Sequence, residues 1–221
     1  MTLRLLVTGF GPFPFVRVNP TSRLARRVAG SPRLASAGIA AQALVLETSY
    51  GGGLPRLAAE LAATRPDAVL MLGLAGRARA VRVERFARAR SSRLHVDATG
   101  ATPEMGGGGG LPLASTAALE PALACLKRAG LSAALSPSAG RYLCNAGYAL
   151  ALADAGRRGR NAPPTLFVHV PWLRPEAGIR RKGRAAAFRP DADRLAAALA
   201  QVALGLARQA RCAKMARMRL A

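Results

Sequence analysis

The chain has 221 residues, 51% hydrophobic and 20% charged, enough to bury one sizeable core and too few for two full-sized domains, so a single domain over 1–221 is expected. Its 33 Lys and Arg against 11 Asp and Glu give a formal charge of +22, yet the mean hydropathy is positive and the basic residues interrupt periodic apolar segments, which excludes a disordered chain. The most apolar late stretch, residues 195–207, falls short of the ~20 residues that a bilayer-crossing helix needs.

Residues 3–8 form an apolar run closed by Gly9, which predicts a short buried strand. A loop with aromatics at Phe10, Phe13 and Phe15 follows. Asn19-Pro20-Thr21-Ser22 then supplies a capping residue and a first-turn proline for a helix to about Val28. A second strand is expected over 39–46 and a helix over 53–63. Residues 68–73 are apolar throughout, as in a strand covered on both faces.

Residues 81–89 alternate, with Val81 and Val83 on one side, and predict a strand with Glu84 near its beginning. Residues 90–112 include the glycine run 106–110 and lack any period, so they predict a long surface loop of the kind used as a lid or a subunit contact. Helices are expected over 116–129, 145–155 and 191–210, strands over 131–135 and 165–170, and a basic tail from about 208. This alternation predicts an α/β fold, a three-layer α/β/α domain with a mostly parallel central sheet.

The basic charge is a poor guide to partners. Lys127, Lys182 and Lys214 are the only lysines, so the excess is arginine on an Ala, Gly, Leu and Pro background, the product of a GC-rich coding sequence. Aromatic residues are only 5%, too few for base-stacking platforms, and no zinc-finger, helix-turn-helix or RNA-recognition signature accompanies the charge. Nucleic acid is therefore not the expected partner. A basic binding protein is the alternative, motivated by Arg211, Lys214, Arg217 and Arg219 beside Met215 and Met218.

Cys125, Cys144 and Cys212 are odd in number and widely spaced, which argues against a disulfide framework and a zinc site. Pro12 and Pro14 break the first apolar run before a signal-peptide core forms, so a cytoplasmic location is expected. Gly9-Phe10-Gly11 has Pro14 where a dinucleotide fingerprint wants its third glycine, and the later glycine run lacks a following Lys-Ser or Lys-Thr. No cofactor is expected, and Gly9 and Gly11 read as the means of a sharp turn at the sheet edge.

Cys144 is the strongest chemical candidate. It follows Ser138-Ala139-Gly140 and opens a helical run, where backbone N–H groups and the helix dipole favour a thiolate and a developing oxyanion. A buried, inert cysteine is the alternative for Cys144 taken alone. His169 ends the apolar run 165–168 just before Val170-Pro171-Trp172, and ligand sites of open α/β sheets cluster at such strand ends. Its imidazole suits a base that takes the thiol proton and returns it to a leaving amine. His95, in the loop, has a much weaker case. Glu84 is the candidate for orienting the imidazole, an exposed ion pair being its ordinary alternative.

Several segments in order resemble the pyroglutamyl peptidases, cysteine peptidases that remove N-terminal pyroglutamate. They are Thr8-Gly9-Phe10 with Pro12-Phe13, Asn19-Pro20-Thr21, residues 73–76, Glu84-Arg85, Cys144-Asn145 and His169-Val170-Pro171. The resemblance implies that Cys144, His169 and Glu84 form a catalytic triad and that Phe10 and Phe13 line the lactam-ring pocket. It further implies N-terminally pyroglutamylated peptides as substrates, no metal or organic cofactor, and a homo-oligomer, often a tetramer. Leu74 stands where the family usually has Gln, and Arg93-Leu94 corresponds to an Arg-Ile pair of the family once a small gap is allowed. Both are carried as substrate-binding candidates. The Leu74 departure motivates a rival expectation, a family-like amidohydrolase with altered substrate choice.

Overall fold

The computed structural model describes residues 2–14, 16–103, 110–175 and 188–219. Phe15 and glycines 106–109 lie outside the described residues. The elements in chain order are β1 (Leu3–Phe10), α1 (Pro20–Ala29), α2 (Pro32–Ser36), β2 (Ile39–Leu46), α3 (Gly53–Thr64), β3 (Ala68–Leu74), β4 (Val81–Glu84) and β5 (Phe86–Ala87). They continue with β6 (Leu113–Ala114), α4 (Leu119–Arg128), β7 (Ala133–Ser136), α5 (Leu143–Arg157), a 3-10 turn (Gly159–Asn161), β8 (Thr165–Val170) and α6 (Ala192–Met218).

Six strands form the main sheet in the order β2-β1-β3-β8-β4-β7. The first four run parallel, while β4 pairs antiparallel with β8 and parallel with β7. The two sheet faces bury separate cores, because successive side chains of a strand point to opposite sides. One holds Leu5, Val7, Leu70, Leu72, Leu166 and Val168 against apolar residues of α1, α4 and α6. The other holds Leu6, Phe10, Val69, Met71 and Phe167 against Leu57 and Leu61 of α3 and Tyr148 and Leu152 of α5. Helices cover both faces, which makes the three-layer α/β/α arrangement. Central strands β3 and β8 are buried almost end to end, whereas edge strand β2 alternates.

Local chemistry explains the helix starts. Asn19 caps α1 by accepting from the Thr21 N–H, with Pro20 fixing the first turn. Asp191 caps α6 by accepting from the N–H groups of Asp193 and Arg194 at 2.9 Å each. Along α6, Leu195, Leu199, Val202 and Leu206 are buried at helical spacing, each contributing about 1.5–3 kcal/mol.

Helix α2 has no counterpart among the sequence expectations, and four further differences have a clear local cause. Gly9 lies inside β1 rather than at a turn: a Cβ there would sit 2.3 Å from the Thr21 carbonyl oxygen, so the glycine lets α1 approach the strand. The strand expected over 81–89 breaks at Arg85, whose N–H donates to Ser136 O, and the chain leaves the main sheet to pair β5 with β6. Glu84 thereby ends its strand instead of beginning it. The helix expected from 116 starts at Leu119, because Ser115 and Thr116 spend their hydroxyls on the carbonyls of Thr165 and Pro163. Lastly, the basic tail is helix: α6 runs to Met218, and Arg211, Lys214 and Arg217 bond to Ala37 O, the Asp67 carboxylate and Arg160 O.

Candidate active site

His169 is the fifth residue of β8, in register with Gly73 of β3 on one side and Arg82 of β4 on the other. Glu84 pairs with Phe167, and paired residues of neighbouring strands share a face, as do residues two apart. Glu84, Phe167 and His169 therefore project to the same side. The His169 Nδ1–H donates to Glu84 Oε1 at 2.8 Å, which orients the ring and leaves Nε2 for other partners. Glu84 is 1% exposed and His169 8%. The second Glu84 oxygen is buried without a hydrogen-bond partner among the described residues. Ring packing completes the support, with Phe167 centred 4.7 Å from His169 and 5.5 Å from Tyr148.

Cys144 is the second residue of α5 and half-buried, and its sulfur lies near enough to His169 to raise the imidazole's pKa. Tyr142, the residue before the helix, provides no side-chain cap, so the first-turn N–H groups around Cys144 stay open to a ligand anion. Asn145 ties the chain just past β5 to the helix that carries Cys144: its Oδ1 accepts from Arg88 N at 2.6 Å and its Nδ2 donates to Arg88 O at 3.1 Å. Gly73 makes room for the whole assembly. A Cβ there would lie 2.7 Å from Phe167 Cζ and 2.9 Å from Cys144 Sγ.

Opposing effects set the charge of His169. Burial lowers its pKa, but the charge of Cys144 and its hydrogen bond, together with the hydrogen bond and charge of Glu84, outweigh burial and push it up to about 9. The arrangement can hold an imidazolium beside a sulfur anion, deliver a proton from Nε2 to a leaving group, and stabilise an oxyanion at the helix N-terminus.

A cleft of roughly 500 Å³ opens over Cys144. Phe10, Phe13, Val16 and Leu74 give it apolar walls, and Tyr142 and Trp172 add aromatic ones. Its polar side chains are largely committed: Asn19 Nδ2 and Thr48 Oγ1 both donate to Gly11 O, and Tyr142 OH donates to Val96 O at 2.9 Å. The part of the cleft between these walls suits a neutral, compact group held by apolar contact and backbone groups.

The predicted residues Cys144, His169, Glu84, Phe10, Phe13 and Leu74 come together at this place. Arg93 does not: it is exposed and is not among the residues lining the cleft. His95 packs edge-on against Tyr142, with ring centroids 6.4 Å apart. Cys125 is half-buried on α4, its Sγ facing Ala198 O of α6, and Cys212 is exposed on α6. Among the described residues no three His, Cys, Asp or Glu side chains converge as metal ligands.

Sequence reasoning did not single out Tyr142, Trp172 or Asp97. The two aromatics flank predicted elements, where their spacing reads as core. Asp97, 1% exposed, accepts from Tyr50 N, Thr99 N, Thr99 Oγ1 and Ala101 N within 2.7–2.9 Å. Burial opposes ionisation of this carboxyl, and the four donors more than offset it, leaving the pKa below the usual value. Asp97 so folds residues 97–101 against the cleft, where Ala98 N also donates to Thr48 O.

The family model described as pyroglutamyl peptidase matches residues 3–204. Among similar proteins, a pyrrolidone-carboxylate peptidase of Streptomyces coelicolor is 34% identical over 76% of this chain and 78% of its own length. Another, of Chromobacterium violaceum, is 33% identical over 88% of each. A mutant pyrrolidone carboxyl peptidase from Pyrococcus furiosus superposes with a TM-score of 0.76 at 27% identity, covering 94% of this chain and 99% of that one. Pyroglutamyl peptidase I of Bacillus amyloliquefaciens superposes at 0.79 over 93% and 97%, and at 23% identity it speaks to the fold alone.

Proposed function

Because the chain belongs to the pyroglutamyl peptidase family, we propose that it is a cysteine omega-peptidase that hydrolyses the amide bond after an N-terminal pyroglutamyl residue, with Cys144, His169 and Glu84 as its triad. The observation that carries this reading is the buried Glu84–His169 hydrogen bond beside Cys144, at the mouth of an apolar cleft of suitable size for a five-membered neutral lactam.

His169 accepts the thiol proton at Nε2 and the sulfur attacks the pyroglutamyl carbonyl carbon, forming the C–S bond. The carbonyl electron pair moves to oxygen, and the resulting oxyanion faces the open N–H groups at the start of α5. As the pair returns, the C–N bond breaks and the imidazolium protonates the departing amine, leaving a thioester. His169 then takes a proton from water, hydroxide adds to the thioester carbon, and the thiolate leaves with pyroglutamate free. Glu84 holds the ring throughout. Phe10, Phe13 and Leu74 take the lactam ring, and Leu74 offers no side-chain hydrogen bond to it.

No helix among the described residues is long and apolar enough to cross a membrane. We place the enzyme in the cytoplasm, as one domain acting in a homo-oligomer. Leu94 and Leu111, 86% and 87% exposed in the segment before β6, support a subunit contact there.

The test is release of a fluorophore from an L-pyroglutamyl amide under reducing conditions, with Cys144→Ser and a prolyl amide alongside. Cleavage of the pyroglutamyl substrate alone, absent in the variant, is the expected result. A folded protein that leaves the substrate intact would refute the assignment and point to a different acyl group over Leu74.

A further inference from the structure

The stretch between β3 and β4 contains a tight turn, closed by the Ala78 N–H donating to Ala75 O at 2.8 Å, with Gly76 and Arg77 at its two corners. Gly76 packs under the indole of Trp172, close enough that a Cβ would lie 3.1 Å from Nε1. The turn is thereby pinned to the cleft wall, and Arg77 lines the cleft together with Trp172 and Cys144. Among the described residues Arg77 is the one charged side chain in that lining, which includes no Asp or Glu. It is exposed and makes no hydrogen bond or ion pair among the described residues. Other cations of the chain are differently disposed: Arg27 is paired with Asp193, Lys214 with Asp67, and Arg158 with Asp154.

A guanidinium without a partner among the described residues, at the edge of a cleft whose other described side chains are neutral, has no use for the lactam, which carries no charge. The charge is available to the other side of the scissile bond. We propose that Arg77 forms a leaving-group subsite that selects substrates bearing a carboxylate next to the scissile amide. Two sources share this chemistry: the side chain of an acidic residue following pyroglutamate, and the free α-carboxylate of a pyroglutamyl dipeptide. The guanidinium fork fits either in a bidentate pair. The inference rests on the peptidase reading above.

Exposed ion pairs are weak, so the expected preference is about two- to fivefold in kcat/KM, and it shrinks with salt as the Debye length falls from about 10 Å at ~0.1 M to about 3 Å at ~1 M. The experiment compares four substrates: pyroglutamyl-glutamyl amide with pyroglutamyl-glutaminyl amide, and pyroglutamyl-alanine with its amide. Wild type, Arg77→Gln and Arg33→Gln are assayed, the last removing an exposed charge from α2 away from the cleft. Wild type and Arg33→Gln should prefer the carboxylate member of at least one pair, and Arg77→Gln should lose that preference. A preference in the first pair assigns the side-chain source, one in the second the α-carboxylate. Equal rates within both pairs, or a preference that survives in Arg77→Gln, overturn the subsite while leaving the peptidase reading intact. Failure of wild type to cleave any of the four removes both.

Discussion

Replacing Cys144 by Ser or His169 by Ala removes the proposed nucleophile or base, and each is expected to cut kcat by about 10³-fold or more with the fold retained, checked by steady-state assay and circular dichroism. Glu84→Gln should keep part of the activity, since the amide oxygen still accepts from His169 Nδ1. His169 also makes a pH statement. Its folded value of about 9 lies above the ordinary 6.5, so the proton it holds stabilises the fold fully below pH 6.5 and that contribution fades as pH rises through about 9. In Cys144→Ala the sulfur that raises the His169 pKa is gone, and His169 should titrate at lower pH than in wild type by NMR; an unchanged midpoint would mean that the sulfur does not hold the proton there. Gly73→Ala is the sharpest steric probe. The added methyl meets Phe167 and Cys144 Sγ, so turnover should fall far more than the thermal midpoint.

At the scale of elements, the segment after β5 is held to the site by the Asp97 carboxylate and its four donors. Asp97→Ala strands those donors, at about 1–3 kcal/mol for each one left buried, and should raise KM more than it lowers kcat, with faster proteolysis of the 92–101 stretch as the accompanying sign. This strap was not legible beforehand because one Asp in an aperiodic run looks like any solvated loop residue. The strands at 39–46 and 165–170 were legible to the residue, since runs of apolar β-branched and aliphatic side chains ended at recognisable breakers. That Cys144, His169 and Glu84 gather at one place followed from the order of motifs shared with the family, since spacing along the chain does not by itself bring β4, α5 and β8 together. The walls from Tyr142 and Trp172 were not legible, since an aromatic beside a predicted element reads as core whichever way it faces. Helix ends were missed where tertiary bonds decide, as at Ser115 and Thr116, and at the far end of α6, which docking extends past residue 210.

Across the whole molecule, the net charge of +22 is spread over many elements, and part of it works inside the fold. Lys214 reaches Asp67 at 2.5 Å with both groups largely shielded, and Asp67 also accepts from the Arg4 N–H. Lys214→Ala should therefore cost about 1 kcal/mol, a fall of about 2–4 °C in Tm for a chain of this size, readable by calorimetry. The reversal of β4 against β8 has a different kind of consequence. Because side chains alternate, slipping that pairing by one residue would turn Glu84 to the opposite face of the sheet, and slipping it by two would carry Glu84 about 7 Å along the strand. No intermediate misalignment yields a partly competent enzyme. After refolding from denaturant, specific activity per mole of protein is thus a gauge of correct strand registration, counting properly threaded molecules and ignoring compact ones that are wrongly zipped.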